Sequence, residues 1–512
     1  MMTRASRATL GYATGVIQYG AQIGLQVLLA PLVLRRAGAE TLGVYAILMQ
    51  ATAYLSLLDT GMGLALTRFL AQAHGANGES GTFRDVISSG RLVLIGTGLL
   101  FAAAATVVAL FIGRIFPLSA KVLVQARVCI LILAGWAILR APWSTYNNAL
   151  VATQNLAASN LIATLQNTAR LILTLGLVGA GLGLFGLIAG GVLAEALGLV
   201  ICLIVFLRLC PDCAPQWTYK PSVVVALSRF AFQTLLLAIA TRLTVGSDNI
   251  VVGYLLGPQA VAAYYTTVMP GTMGYLLTVR LSDSAAPAIN ELWSRGAIPV
   301  LRNNILKIHR YTLTMAFGLG GALLLFNRPL ITLWVGSQRY AGLLATVSLA
   351  SFAITVSASH VNGILTMATG RIRTLSIVAL CEGGLNLVLS LFFGRHFGAG
   401  GVMLGSAVSN LVSTTYLQFR FSSDLAVSGR LYLRNCLLPA LPSVLAACVV
   451  GGALSRSLGL ASWWSLGFAG TCYTLTGLVV AWTAAIHADD KVRVVRTIRA
   501  FGARMQAQFA TV

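Results

Sequence analysis

The stretch Leu42–Arg68, LGVYAILMQATAYLSLLDTGMGLALTR, decides the fold. It is apolar over a length that can cross a bilayer, since a membrane span needs about 20 residues. Asp59 lies within this length, and a carboxylate at membrane depth is costly unless it faces protein or water. The stretch therefore predicts a membrane-spanning helix that forms one wall of a polar cavity inside a helix bundle.

The whole chain has the composition of a protein that crosses a membrane many times. Of its 512 residues, 57% are apolar and 9% are charged, whereas soluble domains carry about 25% charged residues. A net charge of +22 would suggest nucleic-acid binding in a soluble chain. Here most Lys and Arg residues lie between apolar runs, so we expect no nucleic-acid partner.

No arrangement of residues in the sequence points to catalysis. The five histidines are scattered, and there is no Ser-His-Asp set, phosphate-binding loop or metal-ligand spacing. We therefore expect no catalytic residues, no metal and no cofactor, which means that the protein is not an enzyme.

The apolar runs predict an all-α polytopic membrane protein with about fourteen transmembrane helices. The connections between them are too short to form a soluble domain. Most Lys and Arg residues lie in alternate connections, on the same side as both termini, and this side is expected to be cytoplasmic. The predicted spans are residues 10–34, 42–66, 86–112, 122–143, 156–178, 185–207, 228–256, 260–282, 311–335, 341–369, 374–393, 398–421, 435–456 and 462–486.

An internal repeat organises these spans. Gly183–Gly186 matches Gly398–Gly401 at an offset of roughly 215 residues, and the apolar hairpins around the two motifs correspond. The repeat predicts two parallel six-helix lobes with the substrate site between them near the midplane. The predicted domains are residues 1–215 and 216–430 for the lobes, 431–488 for transmembrane helices 13 and 14, and 489–512 for a cytoplasmic, basic amphipathic tail.

Polar residues in the first two spans are candidates for a substrate-binding cavity. Gln18, Gln22 and Gln26 lie one turn apart on a single face of the first span. Facing a wet cavity, such amides can bind sugar hydroxyls, whereas the alternative is a hydrogen-bond seam between helices. We predict that Asp59 of the second span lines the same cavity as these glutamines.

Two arginines, Arg170 and Arg242, are assigned to neither side of the membrane and lie within predicted spans. Arg170 and Glu195 fall at a similar depth on adjacent helices, so we predict that they form an ion pair, with a cavity-facing Arg170 as the alternative. Arg242 has no suitably placed acidic neighbour in its own hairpin, although Glu382 could reach it. An unpaired arginine at mid-membrane indicates an anion site, because a guanidinium binds pyrophosphate in a bidentate manner.

The pattern of the Leu42–Arg68 stretch, Gly43-x-Tyr45, Asp59-x-Gly61-x-Gly63 and then Arg68, resembles the second membrane helix of Wzx-type polysaccharide flippases of the MOP exporter superfamily. Asp248-Asn249 resembles a polar position that many polysaccharide exporters have in span seven. The resemblance implies a bacterial inner-membrane flippase for an oligosaccharide repeat unit on undecaprenyl pyrophosphate, serving O-antigen or exopolysaccharide synthesis. It also implies alternating access, contact with membrane lipids, and polysaccharide polymerase and glycosyltransferases as partners.

Three other functions remain open at this point. A cation-coupled multidrug exporter of the same superfamily would prefer an acidic, aromatic cavity, whereas Arg170 and Arg242 favour an anion. A lipid II flippase also has fourteen spans, but its family has several arginines in the first two helices, where this chain has glutamines. A membrane-embedded glycosyltransferase or polymerase would need a large outer loop.

Overall fold

A computed structural model of the protein describes residues 4–75, 80–211, 218–245, 247–487, 490–492 and 496. In this part of the chain the structure is helical throughout and contains no strand, which confirms the predicted all-α fold class. The α-helices of the described residues are α1 (Arg4–Arg36), α2 (Gly38–Leu55), α3 (Leu57–Gly75), α4 (Ser80–Ile115), α5 (Ala120–Arg140), α6 (Thr145–Ala152), α7 (Leu156–Gly179), α8 (Gly183–Leu209), α9 (Pro221–Val245), α10 (Asp248–Leu256), α11 (Pro258–Ser294), α12 (Ile298–Val335), α13 (Leu343–Ala368), α14 (Ile372–Asp424), α15 (Gly429–Tyr432), α16 (Leu441–Leu458) and α17 (Trp463–Ala484).

Ten helical segments of the described residues are long and apolar enough to cross a membrane. One of them is α14, which contains two of the predicted spans. Large apolar side chains such as Leu139, Phe419 and Val449 are exposed, while Asn327 and Asn386 are buried. Apolar surface outside and polar groups inside is the arrangement that a bilayer requires of a polytopic protein. The number of helices that cross, predicted as about fourteen, stays a prediction.

The chain forms two compact units. The first consists of Met1–Thr266 and Ala379–Gly405, and the second of Thr267–Val378 and Ser406–Val512. The predicted lobes, residues 1–215 and 216–430, are divided at different positions and stay a prediction. Residues 497–512, most of the predicted amphipathic tail, lie outside the described residues.

The Leu42–Arg68 stretch is two helices rather than the single helix that its apolar length predicts. Helix α2 ends at Leu55 and α3 begins at Leu57, with Ser56 between them. The Ser56 hydroxyl donates a hydrogen bond of 2.9 Å to the carbonyl of Ala53. A serine that bonds to the preceding turn in this way competes with the backbone ladder and bends helices. The break lies three residues before Asp59.

Two helix hairpins in the first unit share one packing arrangement. In the first, Gly183 has a positive φ of 49°, and a Cβ added at Gly186 would lie 2.9 Å from the Leu177 backbone of α7. In the second, Gly398 has φ 62° and ψ −147°, a conformation that only glycine adopts easily. A Cβ added at Gly401 would lie 2.0 Å from the carbonyl oxygen of Phe393.

The correspondence continues one turn further into each hairpin. A Cβ at Gly190 would lie 2.6 Å from the hydroxyl of Thr174, and a Cβ at Gly405 would lie 2.5 Å from the backbone nitrogen of Ser390. The glycines that are aligned by the sequence repeat therefore have the same structural role in both hairpins. They turn the chain sharply and then let the two helix backbones approach closely.

Candidate functional site

A polar cavity of about 270 Å³ lies inside the first unit. Its walls come from α2, α4, α5, α7 and α8. The polar side chains that line it are Thr52, Ser56, Trp136, Arg140, Gln166, Asn167, Arg170 and Glu195. Two guanidinium groups, one carboxylate and two amides thus share a small space with an indole ring and two hydroxyls.

One end of the cavity is organised by Arg140, the last residue of α5. Its Nη2 donates to Asp59 Oδ2 of α3 at 2.6 Å, and its Nη1 lies 3.3 Å from Glu195 Oε1 of α8. Thr97 donates to the other oxygen of Asp59 at 2.9 Å, and the indole of Trp136 donates to Glu195 Oε2 at 2.7 Å. All four carboxylate oxygens therefore have a donor within the protein.

The other cation, Arg170 of α7, has neutral neighbours. Its Nη2 donates to the hydroxyl of Tyr45 at 2.9 Å and lies 3.8 Å from the Sδ of Met49. The guanidinium also lies against Gly191 of α8, where an added Cβ would be 3.5 Å from Nε. Among the ion pairs of the described residues, none involves Arg170. Its positive charge is therefore held by neutral acceptors beside the cavity.

The predicted ion pair between Arg170 and Glu195 is wrong, although both side chains line the same cavity. Trp136 and Arg140 lie one turn apart on α5, so they present their donors on one face and bind both oxygens of Glu195. Arg170 lies against Gly191, one turn before Glu195 on α8, which is about 6 Å along the helix axis. Both residues line one cavity, but the partner of Glu195 is Arg140.

The predicted glutamine stripe lies apart from this cavity. Gln18, Gln22 and Gln26 are on α1, where Gln22 is exposed and the other two are half-buried. Helix α1 packs along α7, and Asn160 of α7 donates to Thr14 of α1 at 3.2 Å. None of the three glutamines lines the described cavity. Their role in substrate binding stays a prediction.

The polar pair at the start of α10 has partners within the first unit. Tyr264 donates to Asp248 Oδ2 at 2.6 Å, and Asn249 donates to Gln50 Oε1 of α2 at 2.7 Å. Both residues thus connect α10 to neighbouring helices, and neither lines the described cavity. The backbone of Arg242 belongs to α9, and its side chain lies outside the described residues.

Arg140 and Trp136 are the site residues that the sequence interpretation missed. Arg140 is close to the end of the predicted span 122–143, where a cation is expected to set topology. The available signal was its spacing of four from Trp136, which puts an indole donor and a guanidinium on one helix face. An arginine inside a span needs a partner, and two acidic residues in neighbouring spans were available.

The arrangement can bind a polar ligand. Within the described residues, no three His, Cys, Asp or Glu side chains come together as metal ligands. Asp59 and Glu195 are hydrogen-bonded on both oxygens. The groups that remain for a ligand are the Arg170 guanidinium, the amides of Gln166 and Asn167, and the indole face of Trp136, a set that recognises anions and sugar hydroxyls.

The fold of the chain is similar to that of several solved membrane transporters. The chain is similar to an inward-facing multidrug-resistance MATE family transporter of the MOP superfamily, at 12% identity and a TM-score of 0.68, over 81% of this chain and 99% of the other. It is also similar to the lipid II flippase MurJ in an inward closed conformation, at 15% identity and a TM-score of 0.66, over 93% and 97% of the two chains. A MOP superfamily transporter from Pyrococcus furiosus, at 15% identity, matches with a TM-score of 0.56 over 82% and 96%.

The chain belongs to the family of polysaccharide biosynthesis proteins, whose family model matches residues 12–293. Family and fold together confirm the resemblance to Wzx-type flippases of the MOP superfamily that the Leu42–Arg68 pattern indicates. No curated protein sequence matches the chain. The matched structures are those of transporters and a flippase.

Proposed function

We propose that the protein flips an oligosaccharide repeat unit linked to undecaprenyl pyrophosphate across the bacterial inner membrane. The observation that carries the proposal is the cavity-lining Arg170, held by neutral partners, in a chain of the polysaccharide biosynthesis family. Both termini are cytoplasmic in this proposal. Glycosyltransferases supply the substrate on the inner face, and a polysaccharide polymerase uses it on the outer face.

The chemistry of the substrate matches the chemistry of the cavity. A guanidinium forms strong, charge-assisted hydrogen bonds with phosphate or carboxylate oxygens. The amides of Gln166 and Asn167 suit sugar hydroxyls, and an indole such as Trp136 offers an apolar face to a sugar ring. The polyprenyl chain stays in lipid, where its burial requires no protein cavity.

The volume of the cavity limits what it holds at one time. About 270 Å³ is just below the range of about 300–1,000 Å³ typical of small-ligand pockets. One phosphate group or one sugar ring fits, and a complete repeat unit does not. In this proposal the cavity is one subsite for the head group, and alternating access exposes it to each side of the membrane in turn.

Two rival functions from the same superfamily make different demands on this cavity. A multidrug exporter for cationic compounds would have to place a positive charge beside Arg170, which is repulsive. A lipid II flippase would handle a pyrophosphate lipid too, so the charge of the cavity does not distinguish it. The identity of the lipid that accumulates in a deletion strain distinguishes the two flippases.

A deletion strain tests the proposal. Loss of the gene should abolish surface polysaccharide and should leave lipid-linked repeat units on the inner leaflet, detected by mass spectrometry of lipid extracts and by their inaccessibility to an external glycosidase. Accumulation of lipid II in their place would assign the lipid II flippase function. Normal surface polysaccharide, with increased sensitivity to cationic drugs, would assign the multidrug function instead.

A further inference from the structure

A second cavity, of about 480 Å³, lies in the second unit. Its polar lining consists of Asn303, Asn304, Lys307, Arg310, Asn435 and His487. The first four are on α12. Asn303, Asn304 and Arg310 each lie three or four residues from Lys307, so the four side chains share one face of that helix. The cavity is cationic and rich in amides, and no part of the proposed transport cycle makes use of it.

Arg310 is the central group of this second cavity. It is 8% exposed, its Nε donates to the carbonyl of Asn435, and its Nη1 donates to the carbonyl of Ala485 at 3.3 Å. Both acceptors are neutral. Among the ion pairs of the described residues, none includes Arg310. A buried cation is costly unless an anion compensates it, so this guanidinium favours an anion in the adjoining space.

The other cation of the cavity is already balanced. Lys307 Nζ lies 3.2 Å from Asp490 Oδ2, and Asp490 also accepts a 2.6 Å hydrogen bond from Tyr311. Lys307 and Asp490 have opposite charges, so the net charge of the described residues at this cavity comes from Arg310. Asn303 and Asn304 are exposed and supply amide donors on the same helix face, which is a donor set suited to phosphate oxygens.

We expect the first turns of α12, and this cavity with them, to lie at the depth of lipid head groups. Helix α12 has 38 residues and is about 57 Å long, whereas the hydrocarbon core of a bilayer is about 30 Å thick. The first turns carry Arg302, Lys307 and Arg310, so this end of the helix is the one expected to extend beyond the hydrocarbon. The other walls come from Asn435, in the π-helical turn Leu433–Leu437 before α16, and from His487, which follows α17. Three helix ends meet at this cavity.

We propose that this cavity binds a phosphate anion, and its depth favours the phosphate of an anionic phospholipid over soluble phosphate. The site is distinct from the cavity of the first unit and does not rest on the proposed flipping function. Bound phospholipid would compensate Arg310 and strengthen the contact of α12 with the ends of α16 and α17.

Thermal unfolding of the purified full-length chain in a neutral detergent tests this site. Dioctanoyl phosphatidylglycerol should raise the Tm in a saturable manner, because a ligand that binds the folded state stabilises it. Dioctanoyl phosphatidylcholine at the same concentrations should leave the Tm unchanged. A titration with inorganic phosphate then distinguishes a phospholipid head group from soluble phosphate as the ligand. A saturable shift with inorganic phosphate that equals the lipid's would support the phosphate site and assign it to soluble anions.

Variants connect the shift to this cavity without disturbing the fold. Arg310 is unsuitable, because its loss would also leave two backbone carbonyls without donors. Asn304→Asp places a negative charge on an exposed lining residue and should raise the half-saturating lipid concentration about tenfold or more, the effect of one charged hydrogen bond. Asn290→Asp is the matched control, since Asn290 is exposed on α11 and does not line the cavity. Equal responses of the two variants, or equal shifts with the two lipids, would overturn the proposal.

Discussion

Arg140 Nη2 lies 2.6 Å from Asp59 Oδ2, and the same guanidinium also contacts Glu195. One cation at the end of α5 thereby joins α3 and α8 through their carboxylates. The side chains of Arg140, Asp59 and Glu195 are 23%, 22% and 32% exposed, so water screens the group only partly. Asp59, predicted as a substrate contact, is in the structure a partner that helps to hold the wall of the cavity.

Replacing Arg140 tests the strength of this network. Arg140→Ala leaves two carboxylates without their cation and should destabilise the first unit by about 3 kcal/mol, the low end for breaking a buried pair because these side chains are partly exposed. Membrane abundance and thermal unfolding in detergent measure the effect. Arg140→Ala combined with Glu195→Gln should recover part of the loss. A double variant no more stable than the single one would contradict the network.

Arg170 should affect transport rather than folding. Arg170→Ala removes the cation of the cavity and should lower polysaccharide export about tenfold to a hundredfold, since charged hydrogen bonds contribute about 1.5–3 kcal/mol each. Arg170→Lys keeps the charge but loses the planar donor fork, so export should fall only in part. Complementation of the deletion strain, with membrane abundance measured in parallel, gives the result. Full export by Arg170→Ala would exclude this residue from the subsite.

Tyr45 provides a finer test of the same group. Tyr45→Phe removes the hydroxyl that accepts from Arg170 while keeping the buried ring. The guanidinium loses its positioning contact, and export should fall by less than in Arg170→Ala. Export equal to that of the original chain would show that the guanidinium is positioned by other contacts.

Arg242 remains a predicted pyrophosphate contact. Arg242→Ala should abolish export at normal abundance, and Arg242→Lys should impair it partly, because the lysine lacks the bidentate fork. The same complementation assay applies. Full surface polysaccharide from Arg242→Ala would make the residue a structural partner, with Glu382, which is buried on α14, as the acidic candidate.

The repeated hairpins predict a clear difference between two glycines of α14. A Cβ at Gly401 would lie 2.0 Å from a backbone oxygen, whereas a Cβ at Gly384 would have nothing within 4 Å. Gly401→Ala should therefore destabilise the protein by about 1–3 kcal/mol through overpacking. Gly384→Ala should be neutral or stabilising by up to about 1 kcal/mol, since alanine favours helix. Tm values in detergent compare them, and equal values would contradict the close approach at Gly401.

Of the residues predicted to contact substrate, Arg170 lines the described cavity, and the partners of the charged groups around it could not be predicted. Arg170, Gln166 and Asn167 stand out because polar residues are rare within apolar spans, and all three line the cavity. The sequence does not predict the break at Ser56. The length of an apolar run predicts a membrane crossing, and it is the same whether or not one hydroxyl bonds to the preceding turn. Asp248 and Asn249 are predicted as substrate contacts because they are polar residues in a span. A polar residue in a span can equally form a hydrogen bond between helices, and the sequence does not distinguish the two.

The sequence by itself determined that this is an all-α membrane protein with a repeated glycine hairpin. Hydrophobicity along a span and the recurrence of the Gly183–Gly186 spacing at Gly398–Gly401 are properties of the sequence alone. Only the tertiary structure decided that Glu195 binds Arg140 and that Arg170 lines the cavity and donates to Tyr45. These pairings depend on the rotation and tilt of each helix, which are set by packing against its neighbours. On α8, Glu195 binds a cation, whereas Gly191, one turn earlier, only lies against one.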